Sequence, residues 1–186
     1  MSEMNGFSRR MVNWRTESRA RRSISRLEGH LELSPTSEVL ELGSGGGGMI
    51  ALLYEKFHPA RMVGTDYDPD QVKAATDFLT ARWGSMPAGV TLQPADAFAL
   101  PFPDRSFDAV FAMMMLHHVE ERPTQFERRP QALKEILRVL RPGGRIVYSE
   151  IFRRAEIRAT LSQLGFTERF VRQGWRQDLA IFEAPR

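Results

Sequence analysis

Three observations predict an α/β fold built on an open, mostly parallel sheet. Short apolar strands recur along the chain, and the first three each carry an acid at or near their end: Glu41, Asp66 and Asp96. Segments with helical apolar spacing lie between them, which is the alternation that builds a parallel sheet. The last two strands are joined by a link too short for a parallel crossover, so they pair antiparallel and the sheet ends in a hairpin.

The chain of 186 residues is long enough for one sizeable core and short for two. The expectation is a single domain, with a basic helical segment at 1–36, a core at 37–150, and a terminal helix and hairpin at 151–186. Hydrophobic residues at 42% and charged residues at 26% exclude a disordered or fibrous chain. No run approaches the roughly eighteen apolar residues of a membrane span, and Met1 to Gly6 lacks the apolar core of a signal peptide, so a soluble, cytoplasmic protein is expected. The absence of cysteine excludes a disulfide framework, a thiolate zinc site and a cysteine nucleophile.

The net charge of +3 is placed unevenly. Residues 1–36 carry seven arginines against four glutamates, while the remainder is balanced. Between Ser8 and Leu33, Trp14, Ile24, Leu27 and Leu31 supply apolar anchors, and the spacing of the last three predicts a helix that Ser34-Pro35 stops. Such an arginine face attracts a phosphate-bearing partner, either a nucleic acid or an anionic membrane surface. The simpler reading, which is preferred, is a solvated face on a helix packed against the sheet.

From Val39 the chain reads Val-Leu-Glu-Leu-Gly-Ser-Gly-Gly-Gly-Gly, a buried strand that spills into bare backbone, and Met49 to Phe57 follows as a helix. Arg61 to Asp66 is the second strand. Asp68-Pro69-Asp70 starts a helix that runs to about Trp83, since proline suits the first helical position and acids suit the first turn. Gly89 to Asp96 is the third strand, and Leu100 to Ser106 is a rigid connector. Phe107 to Met114 is the fourth strand, apolar after Asp108 as the middle of a parallel sheet requires. Gln131 to Leu140 is an amphipathic helix stopped by Pro142-Gly143-Gly144, and Arg145 to Glu150 is the fifth strand. Ile157, Leu161 and Leu164 mark a last helix ended by Gly165. Phe166 to Arg172 and Leu179 to Ala184 are the two strands of the hairpin.

Gly43, Gly45 and Gly48 match Gly-x-Gly-x-x-Gly, and Asp66 lies near the position where a dinucleotide site needs an acid for its ribose, so NAD is a live alternative on these residues alone. Glu41, two residues before the first glycine, and Asp96 separate the readings. Glu41-Leu42-Gly43-Ser44-Gly45 resembles the acid-x-Gly-x-Gly signature of class I S-adenosylmethionine-dependent methyltransferases, and Gly64-Thr65-Asp66 is similar to their second motif. Ala95-Asp96-Ala97 with Leu100-Pro101-Phe102 and Phe107-Asp108 resembles the third, and Leu140-Arg141-Pro142-Gly143-Gly144 the fourth.

That resemblance covers residues 37–150 and implies a Rossmann-like three-layer sandwich. Its seven-stranded, mostly parallel sheet would have the order 3-2-1-4-5-7-6 with an antiparallel terminal hairpin. It also implies roles. Gly43, Ser44 and Gly45 would bring backbone to the amino acid part of S-adenosylmethionine, and Glu41 would steady that end. Asp66 would accept from both ribose hydroxyls. Asp96 would accept from the adenine amino group, the Ala97 amide would face the ring, and Tyr67 would pack on the base. Backbone at Met113 would meet the ammonium. Each acid also has a plainer reading as a helix cap.

A sulfonium methyl needs an aligned nucleophile and exclusion of water, with no metal. A neutral histidine suits removal of the nucleophile's proton, and His117 and His118 follow the fourth strand. Adjacent helical residues diverge by about 100°, so at most one of them faces the site, and His117 is preferred. The plainer reading is that both cap or pack the next helix. The three methionines at Met113 to Met115 read as core filling rather than a substrate pocket. The methyl acceptor is unidentified, as are the atom methylated and the oligomeric state. The short stretch after Glu150 implies an open mouth rimmed by Arg21, Arg22, Arg153 and Arg154, suited to an anionic or bulky acceptor. The other class of function left open is a non-catalytic S-adenosylmethionine-binding module that acts with a partner chain.

Overall fold

The computed structural model describes residues 17–18, 20–117, 129–175 and 177–186. Residues 20–27 are helical (α1) and run into a 3-10 turn at Glu28–His30. The strands are β1 (Glu38–Leu42), β2 (Arg61–Asp66), β3 (Val90–Pro94), β4 (Phe107–Met113), β5 (Leu140–Glu150), β6 (Thr167–Gln173) and β7 (Asp178–Glu183). The helices after α1 are α2 (Gly48–Phe57), α3 (Pro69–Trp83), α4 (Arg129–Val139) and α5 (Arg154–Gln163).

The sheet order is β3-β2-β1-β4-β5-β7-β6, as the family resemblance implies. β1 to β5 are mutually parallel, and β7 pairs antiparallel with both β5 and β6. Because side chains alternate across a strand, the two faces of the sheet feed two apolar layers. Leu40, Val110 and Tyr148 pack with Leu133 and Ile136 of α4 and Ile157 and Leu161 of α5. Val39, Phe111 and Val147 pack with Ile24 and Leu27 of α1, Ile50 and Leu53 of α2, and Leu79 of α3. Each such fully buried aliphatic side chain stabilises the fold by about 1.5–3 kcal/mol.

Local chemistry sets the helix ends. Asp68 caps α3 by accepting from the Asp70 amide at 2.9 Å, and Pro69 occupies its first position. By contrast α2 starts from Gly47 in the left-handed region with no side-chain cap. In one place the chain departs from the predicted pattern. Pro142-Gly143-Gly144 does not separate α4 from β5, because α4 ends at Val139 and β5 begins at Leu140, which pairs with Phe107 before an irregularity resets the register at Ala109 and Arg145.

Of the basic segment, Arg9, Arg10, Arg15 and Arg19 lie outside the described residues, as do Trp14 and His118. Arg21 pairs with Glu17 at 2.7 Å, and Ile24, Leu27 and Leu31 are buried, so the predicted apolar face of α1 does pack on the core. Among the described residues, no helix is long and apolar enough to cross a membrane.

Candidate functional site

Parallel pairing of β1 to β5 brings their carboxyl ends to one edge of the sheet, the position where open α/β folds bind ligands. Residues 43–47, 66–68, 95–97, 113–117 and 150–153 therefore meet there. Every predicted site residue falls in these segments except Glu41, the buried penultimate residue of β1.

The glycine loop is shaped by two different demands. Gly43 has φ +69°, and a Cβ there would stand 2.8 Å from Cβ of Met115, so this turn needs both the conformation and the missing side chain. Gly45 has φ +48°, but a Cβ there would meet nothing within 4 Å, so its outer face is open space. The Ser44 amide donates to Thr65 O at 2.8 Å and the Gly45 amide to Asp66 Oδ2 at 3.0 Å, which ties the loop to the end of β2. Asp66 Oδ1 also accepts from the Asp68 amide at 3.1 Å. Its carbonyl takes the Ala95 amide at 2.9 Å and so anchors the loop after β3. Asp96 Oδ1 accepts from the Phe98 amide at 2.9 Å, with Ala97 between them, and Tyr67 is 59% exposed beside Asp66.

Glu41 is 3% exposed, and its Oε2 has no hydrogen-bond partner among the described residues; the buried Ser44 Oγ is in the same position. Burial first, and the nearby Asp66 charge second, push the Glu41 carboxyl well above its ordinary range, against a smaller opposing effect of the Ile50 amide. An orphaned buried carboxyl oxygen is costly, and it marks a place prepared for a donor.

On the other side, β4 ends at Met113 opposite Ser149, and Met114 turns with φ +59° while its amide donates to Ser149 O at 2.8 Å. Leu116 and His117 lie in a turn that follows β4. His117 Nδ1 lies 2.7 Å from Oε2 of the fully buried Glu150, whose Oε1 accepts the Leu116 amide at 2.7 Å. The ring of Phe152, 56% exposed, stands 5.5 Å from the His117 ring, and buried Arg129 reaches Leu116 O at 3.4 Å. No group of three or more potential metal ligands occurs among the described residues.

A family model described as "Methyltransferase domain" matches residues 40–148, the span from β1 to β5 that builds this edge. The chain belongs to the class I S-adenosylmethionine-dependent methyltransferases. It is 32% identical over 134 residues to a 27-O-demethylrifamycin SV methyltransferase of Amycolatopsis mediterranei, covering 72% of this chain and 46% of that protein. It is 37% identical over 120 residues to a demethylmenaquinone methyltransferase of Thermus thermophilus, covering 64% of this chain and 49% of that protein. The chain thus spans about half the length of the curated relatives it matches. Among solved structures, a SAM-dependent methyltransferase from Aquifex aeolicus superposes with a TM-score of 0.71 at 15% identity, covering 90% of this chain and 97% of that one, which is a likeness of fold.

For a methyltransferase of this family the cofactor is S-adenosylmethionine, and the NAD reading of the glycine loop is not favoured. The donor set here fits that cofactor. An unpartnered carboxyl oxygen at Glu41 suits an ammonium, and open space over Gly45 admits a ligand against bare backbone. Sequence reasoning placed Arg129 and Phe152 only within segments expected to build an open mouth, and it did not single out Glu150. Glu150 was visible as the acid that ends β5, but its partners are 33 and 34 positions away, a separation no periodicity reveals.

Proposed function

We propose that this methyltransferase moves the methyl group of S-adenosylmethionine to a hydroxyl oxygen of a bulky acceptor, with His117 taking the hydroxyl proton. The observation that carries this reading is the 2.7 Å contact between His117 Nδ1 and buried Glu150 at the edge where β4 and β5 end. An imidazole held by a carboxylate beside a cofactor edge is the arrangement a general base needs. The name of the Amycolatopsis relative specifies an oxygen position, which supports an oxygen nucleophile.

S-adenosylmethionine supplies an activated methyl group on a sulfonium. On the protein side, Gly43, Ser44 and Gly45 offer backbone, and Glu41 offers a carboxyl oxygen, to the amino acid end of the cofactor. Asp66 accepts from ribose hydroxyls with the acceptor capacity left by its two backbone bonds. Asp96 and Ala97 meet the adenine edge, Tyr67 packs on its face, and the Met113 carbonyl region borders the ammonium. Holding acceptor and cofactor in line lowers the barrier by about 7 to 11 kcal/mol relative to free encounter.

The acceptor would reach the site past the exposed Phe152, and among the described residues only 151–153 separate the end of β5 from α5. So short a connection after β5 suits a bulky acceptor. The test is transfer of radiolabelled methyl from S-adenosylmethionine to a panel of hydroxylated aromatic and lipid acceptors. His117→Ala should lower kcat by about 10²- to 10⁴-fold, the usual worth of a general base, with cofactor affinity kept. Equal turnover by the variant would remove His117 from the mechanism.

A further inference from the structure

Glu150 closes β5 with no exposure to solvent, and both of its carboxylate oxygens are held by the segment that leaves β4. Oε1 accepts the Leu116 amide at 2.7 Å, and Oε2 lies 2.7 Å from Nδ1 of His117. A backbone N–H only donates, so Oε1 is fixed as an acceptor. Both contacts have the short length of charge-assisted bonds, and Oε2 of a carboxylate is again an acceptor. With Glu150 as a carboxylate, Nδ1 carries the ring proton, which leaves the lone pair on Nε2.

The surroundings hold this arrangement in place. Arg129 donates from Nε to Leu116 O at 3.4 Å, so the Leu116 residue is gripped at its N–H by Glu150 and at its carbonyl by a buried guanidinium. Arg129 also pairs with Glu156 of α5 at 3.3 Å. Across the sheet, Asp178 of β7 is the register partner of Glu150, and Arg154 and Arg158 of α5 pair with it at 2.9 and 2.5 Å. Asp178 therefore has its own cations.

We propose that Glu150 is the positioning residue of this site: it locks His117 in the Nδ1–H tautomer and so makes Nε2 the atom that receives the proton of the methyl-accepting hydroxyl. This rests on the reading of His117 as the base given above. The proton passes from the hydroxyl to Nε2, the Nδ1 proton stays on the ring, and the resulting imidazolium lies against the Glu150 carboxylate.

Glu150→Gln is a sharper test than removal of the side chain. The Leu116 N–H still requires an oxygen, so the amide carbonyl turns to it and the NH2 group turns toward Nδ1. A donor at that position makes Nδ1 an acceptor and moves the ring proton to Nε2, which inverts the tautomer without changing the shape of the side chain. The measurement is the pair of ring ¹⁵N shifts of His117 in uniformly labelled full-length protein at a pH where the ring is neutral. His117→Gln assigns the signals among the four histidines.

The expected result is the Nδ1–H pattern in the unaltered chain and the Nε2–H pattern in Glu150→Gln. An Nε2–H pattern in the unaltered chain, which needs no variant to fold, overturns the proposal. An unchanged Nδ1–H pattern in a Glu150→Gln protein that keeps its S-adenosylhomocysteine affinity within about twofold overturns it as well. Calorimetry with S-adenosylhomocysteine separates this from the cofactor reading, because a chain that shows the expected tautomers but binds none of it upholds the role of Glu150 and defeats the proposed function.

Discussion

The Gly45 amide donates to Asp66 Oδ2 across 3.0 Å, so the glycine loop after β1 and the acid at the end of β2 are one unit. The carboxylate that is proposed to hold the ribose also fixes the loop that is proposed to hold the amino acid end. Asp66→Ala removes both functions. Loss of hydrogen bonds to a charged group costs about 1.5–3 kcal/mol, so S-adenosylhomocysteine affinity should fall roughly 10- to 100-fold by calorimetry. Asp66→Asn keeps an oxygen for the Gly45 amide and should fall less. Unchanged affinity in Asp66→Ala would take the residue out of the site.

Gly43 and Gly45 both have positive φ, but their surroundings separate them. Alanine at Gly45 meets open space and incurs only the cost of a left-handed conformation, about 1–2 kcal/mol. Alanine at Gly43 adds a Cβ 2.8 Å from Cβ of Met115, an overpacking cost of about 1–3 kcal/mol more. Urea unfolding should rank Gly43→Ala clearly below Gly45→Ala in stability. Met115→Gly should recover the steric share in the double variant and nothing in Gly45→Ala. Cofactor affinity should show the reverse sensitivity, with Gly45→Ala harmful because its methyl fills the open face. Equal stabilities would mean that Met115 yields at little cost.

The closing hairpin was legible because it follows from a local rule, the length of one link, whereas the strand order was legible only through the resemblance of four motifs to the methyltransferase family. The positions of Asp66 and Asp96 were legible because the carboxyl ends of parallel strands share one edge, so place in sequence gave place in space, while Glu41 lies just inside the end of β1. The start of β5 was not. Proline and glycines at 142–144 read as a stop, but the pairing of Leu140 with Phe107 across the sheet carries the strand through them. The partners of Glu150 were hidden for the same reason, since they depend on which turn of β4 faces β5. The arginines after β5 looked like a charged rim, because sequence displays a charge without displaying its counterion. His118 and most of the arginine-rich N-terminus lie outside the described residues.

The raised pKa of Glu41 has a definite sign in pH dependence. Its unfolded value is near 4.5 and its folded value is well above that, chiefly through burial and then through Asp66. Above pH 4.5 the folded chain therefore binds more protons than the unfolded one, and its stability falls as pH climbs from 4.5 toward the folded value. Glu41→Gln should flatten that decline. An ammonium placed at the orphaned Oε2 favours the ionised form, so cofactor binding should release protons at pH values between the two. Calorimetry in two buffers of different ionisation enthalpy reads this release directly. The heats should diverge for the unaltered chain and coincide for Glu41→Gln. Coinciding heats for the unaltered chain would place the ammonium elsewhere.

The arginines beyond β5 are paired within the fold, and that changes what their removal should do. Arg154 donates to Gly174 O at 2.8 Å and to Asp178 at 2.9 Å, while Arg158 reaches the other oxygen of Asp178 at 2.5 Å. Arg153 pairs with Glu156 at 3.0 Å, and Arg21 with Glu17 at 2.7 Å. Asp178 is buried, with only 2% of its side chain exposed, whereas Arg154 and Arg158 are 31% and 25% exposed. Replacing both by alanine leaves a buried carboxylate without its cations. A fully buried case costs about 3–5 kcal/mol, and solvent access at these arginines lowers the expectation to about 2–3 kcal/mol. Arg21→Ala, on an exposed helix face, should change stability by less than about 0.5 kcal/mol. Adding Asp178→Asn to the Arg154→Ala, Arg158→Ala protein removes the stranded charge and should restore the greater part of the loss in urea unfolding. If the double arginine variant instead keeps its stability and loses turnover, these side chains serve the acceptor rather than the fold.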